Sequence, residues 1–122
     1  MAAPNIVNVS TITGITTGRA LTTSLTTALV MNPASSGKVF KINSIIVSNV
    51  DGTNNADVSM EFYDATNTTA FRLASTVTVP ADSTLIVSDK NSSFYLEEGD
   101  LLRGGASANS DLEAVISYEE IS

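Results

Sequence analysis

"KVFKINSIIVSNV", residues 38–50, decides the fold. β-Branched and apolar residues crowd this stretch, and both Phe40/Ile42 and Ile45/Val47 are available for burial. Side chains stiff at χ1 suit a pleated surface better than a helix. A run this dense predicts a central strand.

Reading toward the C-terminus, "DGTNNAD" (51–57) is a loop, and "VSMEFYD" (58–64) alternates cleanly. Val58, Met60 and Phe62 fall on one face of that strand, with Ser59, Glu61 and Tyr63 on the other. "AFRLASTVTV" (70–79) places Phe71 and Leu73 opposite Arg72, and Pro80 ends it because proline cannot donate to a ladder. Short strands follow at "STLIVSD" (83–89), "SFYL" (93–96) and "DLLRGGAS" (100–107). "DLEAVISYEEI" (111–121) closes the series, with Leu112, Ala114, Ile116 and Tyr118 on one face.

Reading toward the N-terminus, "NPASSG" (32–37) is a turn. "ALTTSLTTALVM" (20–31) has Leu21, Leu25 and Leu29 at helical spacing and also a period-two series. Its threonines favour the pleated reading, so a strand is expected there. "NIVNVSTI" (5–12) alternates weakly, as an edge strand or an extended arm does.

About eight strands at roughly ten-residue spacing predict an all-β chain, a single antiparallel β-sandwich of jelly-roll-like form. Residues 1–18 are expected as the arm or edge strand and residues 19–122 as the sandwich domain. No capping box precedes a long apolar helical period, so helix content should be low.

The chain has 122 residues, no cysteine, no histidine and a net charge of −7. Glu97, Glu98, Asp100, Asp111, Glu113, Glu119 and Glu120 crowd the last quarter around Arg103. That surface repels a phosphate backbone, so no nucleic-acid partner is expected. Nothing resembles a signal peptide or a membrane span, so no membrane partner is expected either. The missing thiol and imidazole remove the usual nucleophiles and zinc ligands.

Two acidic stretches merit attention. In "YLEEGD" (95–100), Glu97 and Glu98 are adjacent and point to opposite faces, while Gly99 before Asp100 suits a turn. A solvent-facing turn is expected, not a catalytic carboxylate pair. In the 51–57 loop, Asp51, Thr53, Asn55 and Asp57 offer oxygens at alternate positions, as hard cations prefer. An EF-hand glutamate is missing, since Phe62 stands at the twelfth position. Asp51, Asn55 and Asp57 are therefore weak metal candidates in what reads as a polar hairpin loop. The basic residues are scattered and read as ordinary surface charge. The phenylalanines read as core, whereas Tyr63 and Tyr95 point away from Phe62 and Phe94 and are candidates for a contact surface. Ile6 and Val9 of the N-terminal stretch, and Leu21, Leu25 and Leu29 of the uncharged 20–31 stretch, complete the interface candidates. No catalytic residue and no cofactor is expected, and the chain does not read as an enzyme.

The run from 38 to 122, with its "KINSIIVSN" strand, its "VPA" turn at 79–81, its "LEEGD" turn at 96–100 and its closing "SYEEI" at 117–121, resembles small virion proteins of tailed phages of the cyanophage type. The resemblance implies a β-sandwich subunit of the particle, assembled in the host cytoplasm and located on the virion. The expected role is capsid decoration, a cement protein that stabilises the head by intersubunit contacts. The expected partners are further copies of itself, as a homotrimer, and the major capsid protein or other virion subunits. A neck or tail subunit is the alternative on the same particle. A carbohydrate-binding β-sandwich is the alternative of another class.

Overall fold

The computed structural model describes Pro4 and residues 6–122. Among the described residues nine strands form two antiparallel sheets: β1 (Ile12–Ala20), β2 (Ala28–Met31), β3 (Val39–Asn49), β4 (Ala56–Asp64), β5 (Thr69–Val79), β6 (Thr84–Ser88), β7 (Phe94–Leu96), β8 (Leu101–Ala106) and β9 (Leu112–Ile121). The first sheet has the order β1-β9-β3-β6, with β7 also paired to β3; the second has the order β2-β8-β4-β5. β6 meets the second half of β3 and β7 its first half, so the two share one lane, interrupted by a 3-10 turn at Lys90–Ser92. Read as one broken strand, that lane leaves eight strands in the jelly-roll order, and only β4 and β5 are sequence neighbours within one sheet.

β3 is central, as its composition predicts, and its two sets of apolar residues have a simple cause. Its register against β9 slips between Ile42 and Ser44, so Asn43 is bulged. An extra residue in one strand inverts the alternation beyond it. Phe40 and Ile42 therefore face inward before the bulge, and Ile45 and Val47 after it. With Leu112, Ala114 and Ile116 of β9, Val58 and Met60 of β4, Leu96 of β7 and Leu102 of β8, they form the core between the sheets. Each fully buried aliphatic side chain contributes about 1.5–3 kcal/mol of hydrophobic stabilisation. Phe40 stacks on Tyr118 at 5.5 Å, and Phe62 meets Phe94 edge-on at 6.1 Å.

Two expectations fail here. Residues 20–31 are not one strand: β1 ends at Ala20, residues 21–27 form a loop, and only Ala28–Met31 pairs with β8. The chain must cross between sheets at this point, and Ser/Thr side chains supply local partners for its backbone. Ser24 O accepts from both the N–H and the hydroxyl of Thr27, and Thr22 O accepts from Ala106 N at 2.8 Å. Phe71 does not enter the core, being 53% exposed on β5. Its register partner Phe62 is inward-facing, so Phe71 is on the inner face of its sheet but at the open rim.

Candidate interaction surface

The 97–100 turn comes first, because it holds the densest carboxylates. Asp100 is buried, contrary to the solvent-facing expectation. One of its oxygens accepts from Ala65 N and the other from Glu97 N, both at 2.9 Å. Glu98 accepts from Gly37 N at 3.0 Å. Asn32, also buried, donates to the carbonyls of Lys38 and Leu96 and accepts from the Ser36 hydroxyl at 2.6 Å. Three loops are thus tied together by side chains bonded to backbone, and these carboxylates serve the fold. A charged acceptor at a backbone N–H is among the stronger hydrogen bonds.

The metal candidates are also occupied. Asp51 accepts from Thr53 N at 2.8 Å and from the backbone and side chain of Asn54. These bonds hold its carboxyl below its ordinary value of 3.8, the Thr53 N–H contributing most. Asn55 accepts from Ala81 N, and Asp57 accepts from the Thr78 hydroxyl at 2.8 Å. Asp51 closes its own loop, Asn55 ties that loop to Ala81 and Asp57 bonds across to β5, and no three His, Cys, Asp or Glu residues gather in a metal-ligating group among the described residues.

The scattered-charge reading of the arginines needs correction as well. Register brings Glu61 of β4 between Arg72 of β5 and Arg103 of β8. Arg103 Nη2 and Glu61 Oε1 form a short charge-assisted contact, and Arg72 Nε lies 3.4 Å from Glu61 Oε2. The Arg103 guanidinium also covers the Tyr63 ring at 4.9 Å, a cation–π contact. Glu61 points outward from the sandwich yet is buried beneath these two side chains. Nothing in the local sequence shows this, because the partners lie 11 and 42 positions away and only strand pairing joins them.

Several large apolar side chains are also exposed, many of them on edge strands. β5 is an edge strand of eleven residues with one charge, Arg72. Phe71, Leu73 and Val77 are exposed along it. Edge strands in soluble proteins normally carry charges, prolines or bulges. β5 has register shifts opposite Val58–Glu61 but keeps its apolar side chains in water. On the outer face of the other sheet, Ile86, Ile46 and Val115 form one cross-strand row, with Ile86 and Val115 exposed.

No family model matches the chain, and no curated protein does. A solved structure is similar. It is of Bacillus endospore appendages, described as a family of disulfide-linked pili, with a TM-score of 0.50 and 18% identity over 92% of this chain and 88% of that one. The likeness shows the fold, a β-sandwich of two antiparallel sheets. This chain contains no cysteine.

The interface candidates scatter over this fold. Leu21 is 1% exposed and plugs the core, so it has no surface to offer a neighbour. Leu29 packs against the core from β2, and Leu25 is half-buried in the 21–27 loop. Tyr63 lies under Arg103. Ile6 and Tyr95 are exposed and line one surface depression, and Val9 is half-buried. The β5 rim and the Ile86–Ile46–Val115 row were missed. An alternating apolar face predicts burial, and which lanes lack an opposing strand depends on topology.

Proposed function

We propose that this protein is a structural subunit of a tailed-phage virion, a capsid decoration protein that assembles as a homotrimer and stabilises the head through contact area. The observation that carries the assembly part is the β5 rim, where Phe71, Leu73 and Val77 stay exposed along an uncovered strand of eleven residues. Apolar area of this kind on a sheet edge is stabilised by a neighbour. The buried polar side chains Asn32, Asp100 and Glu61 add support, since each is spent on backbone or on a salt bridge. The phage assignment rests on the sequence resemblance over residues 38–122.

A density map of intact particles tests the reading, with the polypeptide expected as trimeric knobs between capsomers. Density at the neck or tail would move the role there, and absence from the particle would end the proposal. Light scattering on the purified chain gives the stoichiometry. Phe71→Ser should lower the assembled fraction while leaving the monomer folded.

A further inference from the structure

The outer strands of the two sheets are not alike. β2 and β6 are short, with four and five residues and a register shift in each pairing. β5 is long but also shifts register, against Val58–Glu61 of β4. β1 has none of these protections: it has nine residues, no proline, one charge at Arg19, and an unbroken register on β9 from Ile12↔Ile121 to Ala20↔Glu113. Thr11 and Ser122 exchange both backbone bonds at 2.9 Å, and Leu21 N donates to Leu112 O at 2.8 Å. Odd-numbered residues of β1 therefore turn their backbone groups toward β9, and even-numbered residues turn theirs away. Those residues, Ile12, Gly14, Thr16, Gly18 and Ala20, are all exposed, and no hydrogen bond from the described residues reaches their N–H or C=O groups.

We propose that β1 pairs with β1 of a second copy, antiparallel about a two-fold axis at Thr16, so that the two first sheets join into one. The strand is complementary to itself in this register. On the outer face Ile12 stands opposite Ala20, Gly14 opposite Gly18, and Thr16 opposite Thr16 of the second copy; on the inner face Ile15 meets Thr17 and Thr13 meets Arg19. The larger side chains face smaller ones, and Thr opposite Thr is a favourable cross-strand pair. Every outward N–H and C=O finds a partner, whereas a shift by two residues in either direction leaves part of the row unpaired. Arg19 lies one lane from Glu120 of the second copy, because Glu120 pairs with Thr13, and no like charges stand opposite each other. This contact goes beyond the trimer. β5 lies by β6, and β1 lies by β2, where Arg19 Nη1 donates to Ala28 O at 3.2 Å, so the β1 edge and the β5 rim are at opposite ends of the sandwich. A cyclic trimer needs a heterologous interface, whereas the β1 pair is isologous and links a subunit of one trimer to a subunit of another.

The cysteine-free chain permits a register-specific test. Thr16→Cys is expected to link to itself as a disulfide dimer under mild oxidation, since directly opposed Cα atoms about 5.5 Å apart suit that bond. Gly14→Cys and Gly18→Cys should stay unlinked alone and link when mixed. Both sites have room, with no atom within 4 Å of a Cβ at Gly14 and none nearer than 3.7 Å at Gly18. Thr16→Lys sets like charges together on the axis and should weaken the pairing about fivefold in sedimentation equilibrium. A trimeric mass with no link at Thr16→Cys overturns the β1 contact and leaves the assembly reading standing. Gly14→Cys linking alone as readily as Thr16→Cys marks random collision and also overturns it. A link at Thr16→Cys in a chain whose assembled mass ignores Phe71→Ser supports the β1 contact and counts against the β5 rim.

Discussion

Asp100 Oδ1 accepts the backbone N–H of Ala65 at 2.9 Å, joining the turn before β8 to the turn between β4 and β5. The two residues are 35 positions apart, and the bond is only half of what Asp100 does, since its other oxygen closes the turn at Glu97.

Removing that carboxylate leaves two backbone donors without partners. Each such loss costs about 1–3 kcal/mol. Asp100→Ala is therefore expected to lower stability by roughly 2–6 kcal/mol, measured by urea unfolding at neutral pH. Asp100→Asn keeps one acceptor and should lose less. Equal stability of the wild-type and alanine proteins would refute the structural role assigned to this residue.

Glu61 gives a second contrast. Glu61→Gln leaves Arg103 largely buried without a counter-charge, a loss near the lower end of the ~3–5 kcal/mol typical of a broken buried pair. Arg72 is half-exposed, and Arg72→Ala should cost no more than about 1 kcal/mol. A double-mutant cycle on Glu61 and Arg103 should show strong coupling, and the same cycle on Glu61 and Arg72 weak coupling.

Gly105 and Gly14 differ in what a methyl group would meet. A Cβ at Gly105 would stand 2.8 Å from Ser24 O and 3.0 Å from Leu25 N, both backbone atoms. Gly105→Ala must therefore lift the 21–27 loop, at a cost of about 1–3 kcal/mol. Hydrogen exchange at Ala106, whose N–H bonds to Thr22 O, should accelerate. A Cβ at Gly14 meets nothing within 4 Å, and Gly14→Ala should be neutral or slightly stabilising.

Two groups set pH limits with opposite signs. Asp51 has a lowered folded-state pKa through its bonds to Thr53 and Asn54. Its contribution is complete above the unfolded value and lost as pH falls through the folded one, so the stability gap between wild type and Asp51→Ala should close below pH 3.8. Tyr118 has a raised pKa, from burial first and the Glu120 charge second. Above pH 10 the unfolded chain ionises more readily, so the fold loses stability there, and Tyr118→Phe should soften that loss. Denaturation midpoints across both ranges check the two signs.

Strand identity was legible residue by residue. The β-branched density of 38–50, the alternation of 58–64 and 111–121 and the Pro80 stop located β3, β4, β9 and the end of β5. Local chemistry suffices there, because pleat and turn geometry act over a few residues. The 20–31 stretch was misread for the same reason, since its alternation is real but only Ala28–Met31 finds a partner in β8.

What the sequence by itself determined is that this chain makes strands, nearly all of them, and which of their faces are apolar. Only the tertiary structure decided which apolar faces are covered. Phe62 and Phe71 read alike, yet one packs against Phe94 and the other stands at an open rim. Val39 is buried outside the core cluster, beside a surface depression that Pro4 and Ile6 also line. Glu61 finds its arginines, and Asp100 its amide donors, by strand order and register. The physical reason is range: backbone conformation follows from neighbours in the chain, whereas burial and charge pairing depend on which distant strands share a sheet and where each sheet ends.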